Sequence, residues 1–81
     1  MRIRVQFYAQ LRDIAGEHEH DIDLPSGSTV RDLLKKFYNE TPALRAYDKT
    51  ILIGAGIEFV DRDYKLKADD EIAIMPPVQG G

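Results

Sequence analysis

No cysteine occurs among the 81 residues. That excludes a disulfide scaffold, thiolate zinc sites and a cysteine nucleophile, and it fits a reducing cytoplasm. No basic face stands out, and the net charge of −3 argues against a nucleic-acid binder, which needs cations to neutralise phosphates. No apolar run approaches the ~20 residues of a membrane span. The opening Met1-Arg2-Ile3-Arg4 lacks the apolar centre of a signal peptide. No nucleic-acid partner and no membrane are therefore expected, and the expected location is cytoplasmic.

The familiar catalytic constellations are missing too. Gly54-Ala55-Gly56 has neither the lysine nor the helix start that a phosphate-cradling loop needs. Ser26 and Ser28 sit in a turn with no histidine near in sequence, and helix capping accounts for Ser28 or Thr29. His18 and His20 share a strand face, but zinc needs three or four ligands and the neighbouring acids Glu17, Glu19 and Asp21 point the other way. A half-buried or edge pair is the expectation, with no metal site. The acids Asp61, Asp63, Asp69, Asp70 and Glu71 read as a solvated run that could also steer a basic partner.

What is present is a small globular composition, 43% hydrophobic and 31% charged. This length makes one domain, burying ~60–65% of the surface its unfolded chain exposes. So modest a core leaves no room for a deep private pocket. Function is expected on a surface or a terminus.

Ile3, Val5 and Phe7 alternate with Arg2, Arg4 and Gln6, the period of a strand with one buried face. Residues 8–15 fit a short helix with Leu11 and Ile14 inward and Gly16 as a left-handed stop. Glu17 to Leu24 alternates again, with Ile22 and Leu24 on the side of His18 and His20. After a turn at 25–28, Thr29 caps a helix, Asp32 stands at capping-box spacing, and Val30, Leu33, Leu34 and Phe37 form one apolar stripe. The stripe ends near Asn39-Glu40, and Pro42 blocks a simple continuation. Beyond a polar connection, Ile51-Leu52-Ile53 and Ile57-Glu58-Phe59-Val60 read as strands about a turn at 54–56. Residues 64–67 read as briefly extended, 68–70 as a turn and 71–75 as the last strand. The order ββαβββ around one amphipathic helix describes an α+β roll. Phe7 and Leu33 are expected to pack between the first strand and that helix. If Ile72 and Ile74 face the helix, Ala73 and Met75 face the other side of the sheet.

The end of the sequence is unusual. A final apolar strand leads into Pro76-Pro77, then Val78-Gln79, then Gly80-Gly81. Two closing glycines arise by chance about 0.5% of the time at ordinary glycine usage, so the pair calls for an explanation. An incidental tail is one, since chain ends are commonly unstructured. It leaves the prolines unexplained. They stiffen the exit into an extended path of ~3.1 Å per residue, so six residues reach ~19 Å. Glycines lack the Cβ that would obstruct a narrow channel. Such a tail suits insertion into another protein's active site.

At these residues the chain resembles the MoaD family, the small sulfur-carrier subunits of molybdopterin synthase. The resemblance rests on Met75-Pro76-Pro77-Val78-Gln79-Gly80-Gly81, the opening strand, Leu11 to Gly16, Pro25-x-Gly27-x-Thr29-Val30 and Leu66 to Glu71. Family members tend to carry Val-Asn where this chain has Gly54-Ala55-Gly56, and Asp-Gly-Asp where it has Ala68-Asp69-Asp70. The resemblance implies a ubiquitin-like β-grasp roll over residues 1–75, a mixed sheet with one main helix on one face, and an extended tail over 76–81. It implies that a MoeB- or ThiF-like adenylyltransferase activates the Gly81 carboxylate with ATP. A persulfide donor then converts it to a thiocarboxylate, and a MoaE-like large subunit uses the sulfur. Gly81 would be the carried reagent and Met75, Pro76, Pro77, Val78, Gln79 and Gly80 the partner-binding residues. No permanently bound cofactor is implied, and the chain would be a carrier rather than an enzyme. The Gly-Gly pair alone also fits carriers for thiamine, tRNA thiolation or cysteine synthesis, and protein modifiers that form isopeptide bonds. An inert binding module is the remaining alternative.

Overall fold

The computed structural model describes residues 1–77. Strand β1 (Arg2–Phe7) buries Ile3, Val5 and Phe7 and turns Arg2 and Arg4 to solvent, as its alternation predicts. A short helix, α1 (Gln10–Ala15), buries Leu11 and stops at Gly16, whose φ of +92° is left-handed and whose N–H donates to the Arg12 carbonyl at 3.0 Å. Strand β2 (Glu19–Asp23) returns antiparallel to β1. The main helix, α2 (Val30–Glu40), starts with the expected reciprocal cap. The Thr29 N–H donates to Asp32 Oδ2 at 2.9 Å, and the Asp32 N–H donates to Thr29 Oγ1 at 3.5 Å.

The chain then forms β3 (Leu52–Ala55), β4 (Glu58–Val60) and β5 (Glu71–Met75). The five strands lie in the order β2-β1-β5-β3-β4, with β1 and β5 parallel and the other neighbours antiparallel. This is the mixed sheet that the resemblance implies. Val30, Leu33, Leu34 and Phe37 from α2 complete one core with Ile3, Val5, Phe7, Ile53, Ile72 and Ile74. Phe7 and Leu33 are both fully buried there, and the Phe7 ring meets Phe37 edge-on at 5.1 Å.

Two segments differ from the sequence reading. The polar connection after α2 contains a 3₁₀ helix over Pro42–Tyr47, which buries Leu44. With Leu44 as its one fully buried residue the segment carries no periodic signal, so it reads as loop. Around it, the Tyr38 hydroxyl donates to Asp48 Oδ1 at 2.6 Å and Arg62 donates to the same oxygen at 3.2 Å. The Tyr38 hydrogen bond, with help from Arg62, holds the Asp48 carboxyl below the usual carboxylate range. Burial, then the neighbouring Asp48 carboxylate, pushes the Tyr38 phenol up.

The second difference is the β3–β4 turn. Gly54 and Ala55 belong to β3, and the reversal is made at Gly56-Ile57, with Gly56 at φ +62°. The last turn, by contrast, behaves as its composition suggests. Asp69 occupies the left-handed region at φ +67°, which aspartate tolerates better than most residues, and its N–H donates to the Arg2 carbonyl.

Candidate functional site: the outer sheet face and the C-terminal extension

The helix covers one face of the sheet, so strand parity decides what the other face presents. In β5, Ile72 and Ile74 are buried in the core, while Ala73 and Met75 are half-buried on the opposite side, as expected. Register then assembles their neighbours. Ala73 pairs with Gly54 across β5–β3, Gly54 with Phe59 across β3–β4, and Met75 with Leu52. Tyr8, just past β1, is exposed at the same face and donates from its hydroxyl to Gln6 Oε1 at 2.9 Å.

Together Tyr8, Gly54, Ile57, Phe59, Ala73 and Met75 line a shallow depression of about 280 Å³. Phe59 is 71% exposed and Ile57 is fully exposed, at the tip and edge of the β3–β4 hairpin. Two large apolar side chains in water beside a half-buried methionine form a patch that favours a protein partner. Sequence reasoning anticipated Met75 through parity but missed Phe59 and Ile57. Their exposure follows from the hairpin register, which the misplaced turn concealed.

The other half of this face is charged. Arg4 Nε lies 2.8 Å from Glu19 and 3.5 Å from Asp21, and its Nη1 lies 3.6 Å from Glu71. Arg2 pairs with Asp23 at 3.5 Å on the same side, so two arginines among four carboxylates leave that half net negative, and each surface pair contributes little on its own. The outer face thus divides into an apolar region over β5, β3 and β4 and an acidic region over β2 and β1.

Met75 ends β5, and the chain passes directly into Pro76 and Pro77, which are half-buried and outside regular structure. Val78, Gln79, Gly80 and Gly81 lie outside the described residues. A partner that holds the extension must therefore approach the end of β5, where Met75 and its neighbours lie. We expect Met75→Asp to weaken such a partner's binding by ~2 kcal/mol or more, as for a buried hot spot, with little change in folding. Calorimetric titration checks this. Unchanged affinity with a collapsed melting temperature would assign Met75 to the core instead.

The histidines have separate structural settings. His18 Nδ1 lies 2.8 Å from the Phe7 carbonyl oxygen, and its ring meets Tyr8 edge-on. His20 is half-buried, edge-on to Phe7 at 5.4 Å and to Phe37 at 5.6 Å. Among the described residues no three His, Cys, Asp or Glu side chains come together as metal ligands. The acids of 61–71 are also dispersed. Asp63 pairs with Arg31 at 3.0 Å, Asp70 accepts from the Tyr64 hydroxyl and the Lys67 N–H, and Glu71 faces Arg4.

A mixed five-stranded roll with one main helix on one face, extended past its last strand by Pro-Pro-Val-Gln-Gly-Gly, defines a ubiquitin-like carrier domain of the β-grasp type. The chain belongs to the ThiS family, with residues 5–81 matching it. It is 37% identical to the molybdopterin synthase sulfur carrier subunit of Chlamydomonas reinhardtii, over all of both chains. Its fold matches a Pyrococcus furiosus protein provisionally named molybdopterin converting factor subunit 1. That match has a TM-score of 0.87 and 29% identity, covering 96% of this chain and 99% of the other. SAMP1 of Haloferax volcanii, a small archaeal modifier protein, matches with a TM-score of 0.85 and 28% identity over all of both chains.

Proposed function

We propose that this chain is the sulfur carrier subunit of a molybdopterin synthase and that its Gly81 carboxylate is the group that carries sulfur. The observation that carries this reading is the join between β5 and the extension. An apolar face ends at Met75, and in the six residues that follow a Pro-Pro pair precedes a Gly-Gly end that carries no side chain. Full-length similarity to a subunit of that name supports it.

The chemistry follows from the terminus. A carboxylate is a poor acyl donor, so a MoeB- or ThiF-like adenylyltransferase joins it to the α-phosphate of ATP and releases pyrophosphate. A persulfide donor attacks the acyl adenylate, expelling AMP and leaving an acyl disulfide. A thiol reductant cleaves its S–S bond, which frees the Gly81 thiocarboxylate and leaves the donor sulfur in a new disulfide. A MoaE-like large subunit then binds the tail and passes the sulfur to the pterin precursor, with water restoring the carboxylate. Residues 76–80 position Gly81, while ATP and the catalytic side chains reside in the partners.

Reconstitution tests the reading. The thiocarboxylated chain, mixed with the large subunit and the pterin precursor, is expected to yield the dithiolene, with the chain recovered as its carboxylate. Absence of product with a demonstrably loaded chain would contradict it. Similarity to SAMP1 favours a second reading, in which a lysine ε-amine intercepts the adenylate and forms an isopeptide bond.

A further inference from the structure

Arg31 and Lys35 stand one turn apart on α2, both exposed. The 3₁₀ helix brings Arg45 beside them, and the segment after β4 brings Arg62. With Tyr38 and Asp48, these four cations line an open pocket of about 300 Å³ on the helix side of the molecule. The chain as a whole carries a net charge of −3, so this concentration of cations stands out. Asp48, the carboxylate that lines the pocket, is engaged by the Tyr38 hydroxyl and by Arg62, which also donates to the Asp48 carbonyl. Arg31 pairs with Asp63 at 3.0 Å in the adjoining groove, where Asp61 also lies. Among the described residues Lys35 and Arg45 pair with no carboxylate. The Arg45 guanidinium lies 6.0 Å from the centre of the Tyr38 ring. Even with the groove counted, Arg31, Lys35, Arg45 and Arg62 outnumber Asp48, Asp61 and Asp63, and two of the cations are uncommitted.

Pairing register relates this pocket to the extension. Leu52 pairs with Met75 and Ile53 with Val60, so Leu52, Val60 and Met75 share one end of the sheet. Asp48 precedes Leu52 by four residues, and Arg62 follows Val60 by two. The pocket thus borders, on the helix side, the end of the sheet from which the extension leaves. Sulfur loading brings two proteins to that end together, because the persulfide attacks while the activating enzyme still holds the acyl adenylate. An enzyme seated on the apolar outer face leaves the helix side free for the second.

We propose that the pocket between α2, the 3₁₀ helix and Arg62 docks a short acidic segment of the persulfide-bearing donor protein. The segment is acidic because the uncommitted groups that await it are cations. It is short because the acidic region over β1 and β2 repels an extended polyanion such as a nucleic acid or an anionic membrane. This inference rests on the proposed function for the donor's part in the cycle and adds the place where the donor docks.

The double variant Lys35→Glu, Arg45→Glu, made in the full-length chain, reverses the two uncommitted charges. Thiocarboxylate formation is followed by mass with the activating enzyme and ATP. The sulfur source is either the persulfide-loaded donor protein of the same organism or inorganic sulfide. Hydrosulfide attacks the acyl adenylate directly, forming the C–S bond as the C–O bond to AMP breaks and its proton passes to solvent, so it needs no docking. The variant is expected to raise KM for the donor by ~10-fold or more, the lower end of what electrostatic steering contributes to association. Loading from sulfide and ATP–pyrophosphate exchange are expected to stay at wild-type rates. Lys35→Ala, Arg45→Ala is expected to show the same pattern with a smaller rise, and it decides alone if charge reversal lowers the melting temperature. An unchanged KM for the donor would overturn the inference. So would an equal loss with sulfide or in exchange, which would place the two cations in activation. Failure of the wild-type chain to load from either source would instead count against the proposed function.

Discussion

A chain ending at Gly80 is expected to lose ATP–pyrophosphate exchange with its activating enzyme by ~10²-fold or more, because misplacing a reacting group by even 1 Å has that cost. Removing one extended residue withdraws the carboxylate by ~3.3–3.6 Å, about the whole separation of reacting atoms in a near-attack geometry. The fold has no reason to change. Among the described residues the last strand ends at Met75 and the core residues lie at or before Ile74. The melting temperature should therefore match that of the intact chain. Appending one residue after Gly81 should have the same kinetic effect, since it replaces the reactive carboxylate by an amide. Normal exchange with either variant would show that activation does not occur at Gly81.

The second large effect concerns stability. Phe7→Ala is expected to cost ~3–5 kcal/mol in a domain whose total stability is on the order of 4–12 kcal/mol. Phe7 is 1% exposed, with its ring edge-on to both Phe37 and His20. Alanine would remove both aromatic contacts and open a cavity between β1, β2 and α2. Those elements carry the parallel β1–β5 pairing that places Met75 and the extension. Urea denaturation of the variant measures the loss. Phe59→Ala is the matched control, because a side chain 71% exposed should change stability by no more than about 0.5 kcal/mol. A loss below about 1 kcal/mol for Phe7→Ala would mean that the faces of β1 are assigned the wrong way round.

Most of what positions the site is legible in the sequence for definite physical reasons. Ile3, Val5 and Phe7 alternate because one face of β1 is buried and the other wet. Thr29 and Asp32 mark the start of α2 because an unsatisfied helix N-terminus needs both of their side chains. Parity alone then places Ala73 and Met75 on the uncovered face.

The losses are as instructive. Tyr38 lies on the same stripe as Val30 and Leu34, yet its burial is completed by Asp48 and Arg62, which are distant in sequence and polar. Leu44 anchors a 3₁₀ helix without a repeating pattern. Gly54 resembles turn chemistry when read locally, but the backbone needs its freedom only at Gly56. That shift of the turn moves Phe59 opposite Gly54 and exposes it, which is how the sequence hides the apolar patch. Pairing register is a non-local property, and here it separates a turn glycine, Gly56, from a strand glycine, Gly54.

The most direct measurement is the intact mass of the chain isolated from its native cells, with fragmentation to locate any change. A sulfur carrier is expected to show a fraction heavier by the difference between sulfur and oxygen, localised to Gly81 and lost on incubation with the large subunit and precursor. A terminus that is always a free carboxylate, accompanied by branched adducts in which Gly81 is joined to lysines of other proteins, would contradict sulfur carriage and establish a protein modifier.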